Sequence, residues 1–305
     1  MVLEDCVSSL FDKVPENSFE LFLVDNDSKD QSYLDAFQKH PNVRIIRNNA
    51  NLGYAKAVNI GLRQATGDYH LILNPDMVFL ANPFPRLVEE LRKDDKIGAI
   101  APLLYGLDGK PQIQNFYPTF PTVLQFVLLR SILGKLAPFK KMATIFCHSR
   151  IELSGIHFVD QIPGAFLLFR KDLFKGKPAL EEAYFIWMED VDFCLRIRKM
   201  GLKAAVVSDE RITHIGGTSF QMWDVSRKKL MFTESFMTFL RLHHGFGSHL
   251  IHGILMSINA ICIAVIMTGF YAPKLSLAEI KTRLRLERDV LLIIMNSLTA
   301  RFSKA

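Results

Sequence analysis

Short apolar runs that stop abruptly at Asp or Asn, spaced by segments of helical period, constrain this chain most. Leu21-Phe22-Leu23-Val24 ends at Asp25, and His70-Leu71-Ile72-Leu73 is stopped by Asn74-Pro75. Val43-Arg44-Ile45-Ile46 and Ile97-Gly98-Ala99-Ile100 read as further strands. Between them, residues 54–65 place Ala55, Val58 and Leu62 on one face of a helix. Residues 83–93 repeat the pattern, and residues 3–13 read as a short opening helix. Strands alternating with helices at this spacing predict an α/β fold around a doubly wound, mostly parallel sheet. Ligands of such sheets bind outside the carboxyl ends of the strands, where Asp25 and Asn74-Pro75-Asp76 fall.

The chain of 305 residues is 49% hydrophobic, enough for a sizeable core. A formal net charge of +6 and a pI near 9.1 suit an anionic partner. Nucleotide diphosphates and anionic lipids fit. No nucleic-acid motif is present, so nucleic acid is not expected as a partner. Cys6, Cys147, Cys194 and Cys262 lie far apart without CxxC spacing, which argues against a zinc site and a disulfide framework. Acidic Glu4, Asp5 and Asp12 interrupt any leader-like apolar region.

The densest chemistry lies at Trp187-Met188-Glu189-Asp190-Val191-Asp192, three carboxylates beside apolar neighbours. Mutual repulsion and loss of water both raise pKa values and favour general-base work. Acids also suit the first turn of a helix, here expected at 190–200 and closed by Gly201. At Asn74-Pro75-Asp76 the proline ends the strand, and Asp76 is placed to bridge a hard divalent cation to a diphosphate. The same three residues also make an ordinary turn. In Asn51-Leu52-Gly53 through Asn59-Ile60-Gly61, Asn51 can cap the helix and Gly53 permits close approach. Asn59, on an apolar helix face, needs a partner from a loop backbone or a ligand. His214, before Gly216-Gly217, could complete a metal site with Asp76.

Residues 111–150 change character, with prolines, an apolar stretch and scattered lysines, and suggest a lid or insertion. Sheet-like sequence returns through Pro163-Gly164-Ala165, and Ala204–Val207 reads as a late strand. Residues 250–270 form the longest apolar run, broken by His252, Gly253, Ser257 and Asn259, and make a marginal spanning helix. Residues 274–289 interleave Lys281, Arg283, Arg285 and Arg288 with leucines and isoleucine. Such a segment lies readily on anionic lipid, and an ordinary helical hairpin has the same pattern.

In order, these motifs resemble the family 2 glycosyltransferases, inverting nucleotide-sugar transferases of GT-A fold, over roughly residues 3–245. Within that family the chain looks most like bacterial rhamnosyltransferases of surface (cell-envelope) polysaccharide biosynthesis. The resemblance implies a catalytic domain over 1–245 and a membrane-associating helical segment over 246–305. It implies Asp190 as base and Glu189 as the residue that orients the acceptor or Asp190, with Asp76 and His214 on Mg²⁺ or Mn²⁺. Donor contacts would come from Asp25, Asn26, Asn51, Gly53, Asn59, Asn74, Gly164 and Ala165. The implied donor is a dTDP- or UDP-sugar, with dTDP-rhamnose preferred. The implied acceptor is a saccharide or a polyprenyl-diphosphate-linked one, met at the cytoplasmic face of the inner membrane. Two departures stand out. Met1–Cys6 looks like the helix that follows the family's first strand, so that strand is expected to be missing. Gln31 replaces a glycine usual before Ser32. The missing strand keeps open a competing reading, an inactive domain serving as a membrane-attached assembly partner.

Overall fold

The computed structural model describes residues 2–116, 120, 122, 131–132, 151–216, 223–269 and 275–302. Most of the expected lid at 111–150 lies outside these residues, as do Cys147, Gly217 and Pro273. Contacts divide the chain into two compact units. One comprises Met1–Phe120, His148–Phe185 and Glu189–Phe220; the other comprises Pro121–Cys147, Ile186–Met188 and Gln221–Ala305.

In the first unit, helix α1 (Val2–Lys13) buries Cys6, Val7 and Leu10. Strands β1 (Leu21–Asp25) and β2 (Val43–Arg47) pair in parallel, with Leu21 opposite Val43. They form their own two-stranded sheet. Helix α2 (Tyr54–Gln64) follows, then β3 (Tyr69–Leu73), β4 (Met77–Phe79) and α3 (Phe84–Lys93). Next come β5 (Ile97–Tyr105), β6 (Ile156–Val159), β7 (Phe166–Arg170), α4 (Glu189–Lys199) and β8 (Lys203–His214).

The larger sheet runs β3-β7-β5-β8-β4, with β6 also on β8. Its longest ladder is the parallel pair β5–β8. The other ladders, β3–β7, β5–β7, β4–β8 and β6–β8, are antiparallel, so the sheet is mixed. Every residue of β5 is buried, as expected of a strand flanked on both edges and covered on both faces. Leu87 and Leu91 of α3, and Phe193 and Ile197 of α4, belong to the same fully buried cluster. Gly201 ends α4 with φ +81°, the left-handed stop expected of it.

Strands β5 and β8 outrun the sequence expectation of 97–100 and 204–207. Pro102 sits where the β5–β8 register slips, between Pro102 and Leu103, so it breaks no regular ladder. The slip also absorbs Ser208–Glu210 and lets β8 continue to His214, which therefore ends a strand.

The second unit contains α5 (Val225–His243), α6 (Phe246–Gly269) and α7 (Leu277–Phe302). Asp224 caps α5 by accepting the Arg227 N–H at 2.8 Å. Helices α6 and α7 pack closely at Gly253, where an added Cβ would lie 3.0 Å from Leu298. Lys229 and the buried Glu287 form an ion pair at 2.5 Å between α5 and α7. Helix α5, placed by sequence in the catalytic domain, groups with this unit.

Candidate active site

Strand β1 delivers Asp25 to its carboxyl end, 4% exposed. Its carboxylate accepts three hydrogen bonds, from Ser28 N at 3.1 Å, Gln31 Nε2 at 2.8 Å and Tyr33 Oη at 2.8 Å. Burial works against the charge, yet the bonds from Ser28 and Tyr33 hold the carboxyl below its ordinary range. Gln31, the departure from the glycine pattern, thus has a use as a second tether. Next along the chain, Asn26 donates to Asn51 Oδ1 and to Gly53 O, and accepts from Asn48 and from the Leu52 N–H. The β1 end and the 48–53 loop are knitted by this one amide.

Asn51 does not cap α2. Its Oδ1 accepts the Gly53 N–H at 3.1 Å in a local turn, and Gly53 itself occupies the N-cap. Gly53 has φ +85°, and a Cβ there would lie 2.6 Å from the Phe185 carbonyl. Only glycine meets both demands. Asn59 is 1% exposed and its amide is spent on loop backbone: Nδ2 donates to Leu180 O at 2.7 Å, and Oδ1 accepts Leu180 N–H at 3.1 Å. Nδ2 also donates to Glu182 Oε1 at 3.2 Å, so the amide is held by the loop that leads to the acidic motif.

Asn74, Gly164, Ala165 and Asp190 do come together. The Asn74 N–H donates to Ala165 O at 2.9 Å, extending the β3–β7 ladder past its ends. The Gly164 N–H donates to Asp190 Oδ2 at 3.1 Å, and the Val191 N–H to Asp190 Oδ1 at 2.8 Å. A Cβ on Gly164 would approach Asp190 Cβ to 3.3 Å. Burial raises the Asp190 carboxyl above its usual range, while the Gly164 and Val191 amides pull against that. Glu189, 7% exposed, is lifted to about 8 by burial and by the adjacent Asp190 charge. The third acid of the motif behaves differently. Asp192 is 1% exposed and accepts Arg196 Nε at 2.7 Å; Arg196 also binds the carbonyls of Pro178 and Ala179. It fastens α4 to the loop before it. Trp187 and Met188, with φ +64° and +72°, lead into α4 in the left-handed region, a conformation that costs roughly 1–2 kcal/mol per residue.

Asp76 and His214 meet across the β4–β8 ladder, His214 Nε2 lying 3.7 Å from Asp76 Oδ1. Gln112 orients the imidazole. Its Nε2 donates to the His214 carbonyl at 3.0 Å, which turns Oε1 to accept from His214 Nδ1 at 2.8 Å. That leaves the Nε2 lone pair facing Asp76. Burial lowers the His214 pKa despite the Asp76 charge, so the ring is neutral near pH 7. A neutral imidazole held by a partner amide, beside a carboxylate, fits a divalent cation whose other ligands come from phosphate and water. Among the described residues no cluster of three or more His, Cys, Asp or Glu side chains forms a protein-only metal cage.

Sequence reasoning passed over Gln112, Tyr33 and Tyr54. Gln112 and Tyr33 carry no local signal, because their partners lie at distant or turned positions. Tyr54 stood beside Gly53 in a motif already noticed, and its hydroxyl bonds Asn74 Oδ1 at 2.8 Å and Gly164 O at 3.2 Å.

Similarity to known proteins bears on the fold and the family. The N-acetylglucosaminyl-diphospho-decaprenol L-rhamnosyltransferase of Mycobacterium tuberculosis is 28% identical over 212 residues, 65% of this chain and 67% of that protein. The dolichol-phosphate mannosyltransferase of Pyrococcus furiosus is 26% identical over 178 residues, 57% of this chain and 49% of that one. The chain thus spans about two thirds of the first relative's length and about half of the second's. Among solved structures, GalNAc-T7 with UDP, GalNAc and Mn²⁺ superposes with a TM-score of 0.52 at 18% identity, covering 70% of this chain and 41% of that one. S. aureus TarS 1-349 in complex with UDP gives 0.50 at 17% identity, covering 98% and 79%. These likenesses carry the fold, GT-A. The model of the family described as "Glycosyl transferase family 2" matches residues 2–173, more than half the chain, and the protein belongs to that family of glycosyltransferases.

Proposed function

We propose that this glycosyltransferase moves a sugar, preferably rhamnose from dTDP-rhamnose, to a polyprenyl-diphosphate-linked saccharide, with inversion at the anomeric carbon. The observation that carries the reading is the joining of Asp190 to the Gly164-Ala165 loop and, through Asn74, to the turn that bears Asp76. A base, a donor loop and a diphosphate-facing carboxylate share one hydrogen-bonded frame. The rhamnosyl donor and prenyl acceptor follow the name of the Mycobacterium relative.

In this mechanism the acceptor hydroxyl attacks the anomeric carbon from the face opposite the diphosphate. Its proton passes to Asp190, the new C–O bond forms, and the bond to the diphosphate oxygen breaks with the electron pair. The two amides on Asp190 aim its carboxylate, and burial keeps it basic enough to accept the proton. Asp76 and His214 would hold Mg²⁺ or Mn²⁺, which when bound supplies charge stabilisation to the departing diphosphate. Asp25 and Asn26 line the nucleoside side. Glu189 orients Asp190 or the acceptor.

The apolar, basic C-terminal unit supports docking on the cytoplasmic face of a membrane, as a prenyl-linked acceptor requires. Helix α6 is long and apolar enough to cross a bilayer, with mean hydropathy 2.3 over its best window. Surface docking fits its neighbour α7 better, because Lys281, Arg283, Arg285 and Arg288 are all exposed there.

Calorimetric titration with dTDP and UDP, with and without Mn²⁺, followed by a transfer assay with dTDP-rhamnose, tests the reading. Asp190→Asn is expected to keep nucleotide binding and lose about 10²–10⁴-fold in transfer rate. Near-full transfer by that variant would remove Asp190 from the role of base. Absence of any nucleotide binding by the folded wild type would favour an assembly role.

A further inference from the structure

Four segments that sequence treats separately meet at one tyrosine. Tyr54 opens α2, immediately after Gly53, and its backbone N–H donates to Phe185 O at 2.7 Å. This fixes the ring between the turn after β3 and the loop before β7. Its hydroxyl lies 2.8 Å from Asn74 Oδ1 and 3.2 Å from Gly164 O. Both are acceptors, so the single phenolic proton is shared between the turn and the loop. Gly164 in turn donates to Asp190, and Asn74 donates to Ala165. Burial and the nearby charges of Glu189, Asp190 and Asp76 push the Tyr54 pKa far upward, so the group remains a donor at any physiological pH.

We infer that Tyr54 is a positioning residue: its hydroxyl sets the spacing between the Asp76-bearing turn and the Gly164 loop, and so couples metal to donor binding. The inference rests on the function proposed above and assigns a role to a residue outside its reaction steps. The coupling is mechanical. Pro75 has a fixed φ, which leaves one torsion fewer to absorb a displacement of Asn74 before it reaches Asp76. A phenylalanine at position 54 would keep the ring and its packing but leave Asn74 Oδ1 and Gly164 O without this donor. The turn and the loop would then relax independently. Nucleotide alone would bind about as before, and the added affinity that metal gives would be lost.

The experiment compares wild type, Tyr54→Phe and Thr66→Val by calorimetry with UDP and dTDP, each with and without Mn²⁺. Thr66 is the stability control. Its hydroxyl donates to Glu20 Oε1 at 2.9 Å just before β3, at the opposite end of that strand from Asn74. Expected for Tyr54→Phe is a metal-dependent affinity weakened about 3–10-fold, as one hydrogen bond warrants, with metal-free affinity unchanged within about twofold. Thr66→Val should lower Tm and leave both affinities alone. Equal behaviour of the two variants would reduce Tyr54 to packing and overturn the inference. If wild type shows no metal-dependent binding, the proposed function fails first, and amide exchange decides on Tyr54 alone. Faster exchange at Asn74 and Gly164 in Tyr54→Phe, with β5 unchanged, keeps the positioning role; unchanged exchange at both amides ends it.

Discussion

Glu189 and Asp190 are adjacent carboxylates that the fold treats differently. Asp190 has two backbone donors, whereas Glu189 Oε2 is buried without a hydrogen-bond partner. The folded Glu189 pKa, about 8, lies above its ordinary 4.5. Between those values the unfolded chain is ionised there while the folded chain holds the proton. The folded state thus binds more protons, and stability must fall as pH rises through this window. Glu189→Gln removes the titration. Its Tm should match wild type near pH 4.5 and exceed it near pH 8.5, by an amount corresponding to a few kcal/mol at most. A Tm difference that is constant across that range would refute the assignment. The crowding of acids in the sequence foretold raised values, and Glu189 and Asp190 have them. Asp192 is the buried ion-pair partner of Arg196, one turn later. An i,i+4 pair is visible in sequence, but its burial is not.

At the scale of elements, the loop from Pro178 to Tyr184 is held from both sides. Asn59 of α2 takes the Leu180 backbone, and Arg196 of α4 takes the carbonyls of Pro178 and Ala179 while stacking 4.4 Å over Phe174. Arg196→Met should keep much of the packing and strand the Asp192 charge at 1% exposure. Breaking one side of a buried pair costs about 3–5 kcal/mol. A urea midpoint within error of wild type would contradict this account. Element positions were largely legible: α1, α2, α3, β1, β2 and β3 begin and end within a residue or two of their periodic patterns. The short strands β4 and β6 were not. Three or four residues give too few alternations to stand out, and both exist because β8 offers them an edge.

For the whole molecule, the second unit presents a face that water alone does not favour. Ile251, Ile254, Ile258, Ile261 and Val265 recur at three- and four-residue spacing along α6, each about half exposed or more. Phe246–Gly269 contains no Asp, Glu, Lys or Arg. A continuous aliphatic stripe of this kind marks an interaction surface. If it meets lipid, Ile254→Glu with Ile258→Glu and Ile261→Glu should move the protein from the pellet to the supernatant when spun with anionic vesicles, with circular dichroism unchanged. Retention in the pellet would direct attention to α7 or to another surface. Sequence by itself determined the α/β class, the strand ends that carry polar residues, and the apolar, basic character of the C-terminus, because each is a local pattern of period or composition. Only the tertiary structure decided which of those residues share a site. It brought Asp76 to His214, Gly164 to Asp190 and Tyr54 between them, and it took Asn59 away to a loop backbone. Such pairings join positions tens to more than a hundred residues apart, and sequence spacing carries no information about a ladder's register or a buried hydroxyl's aim.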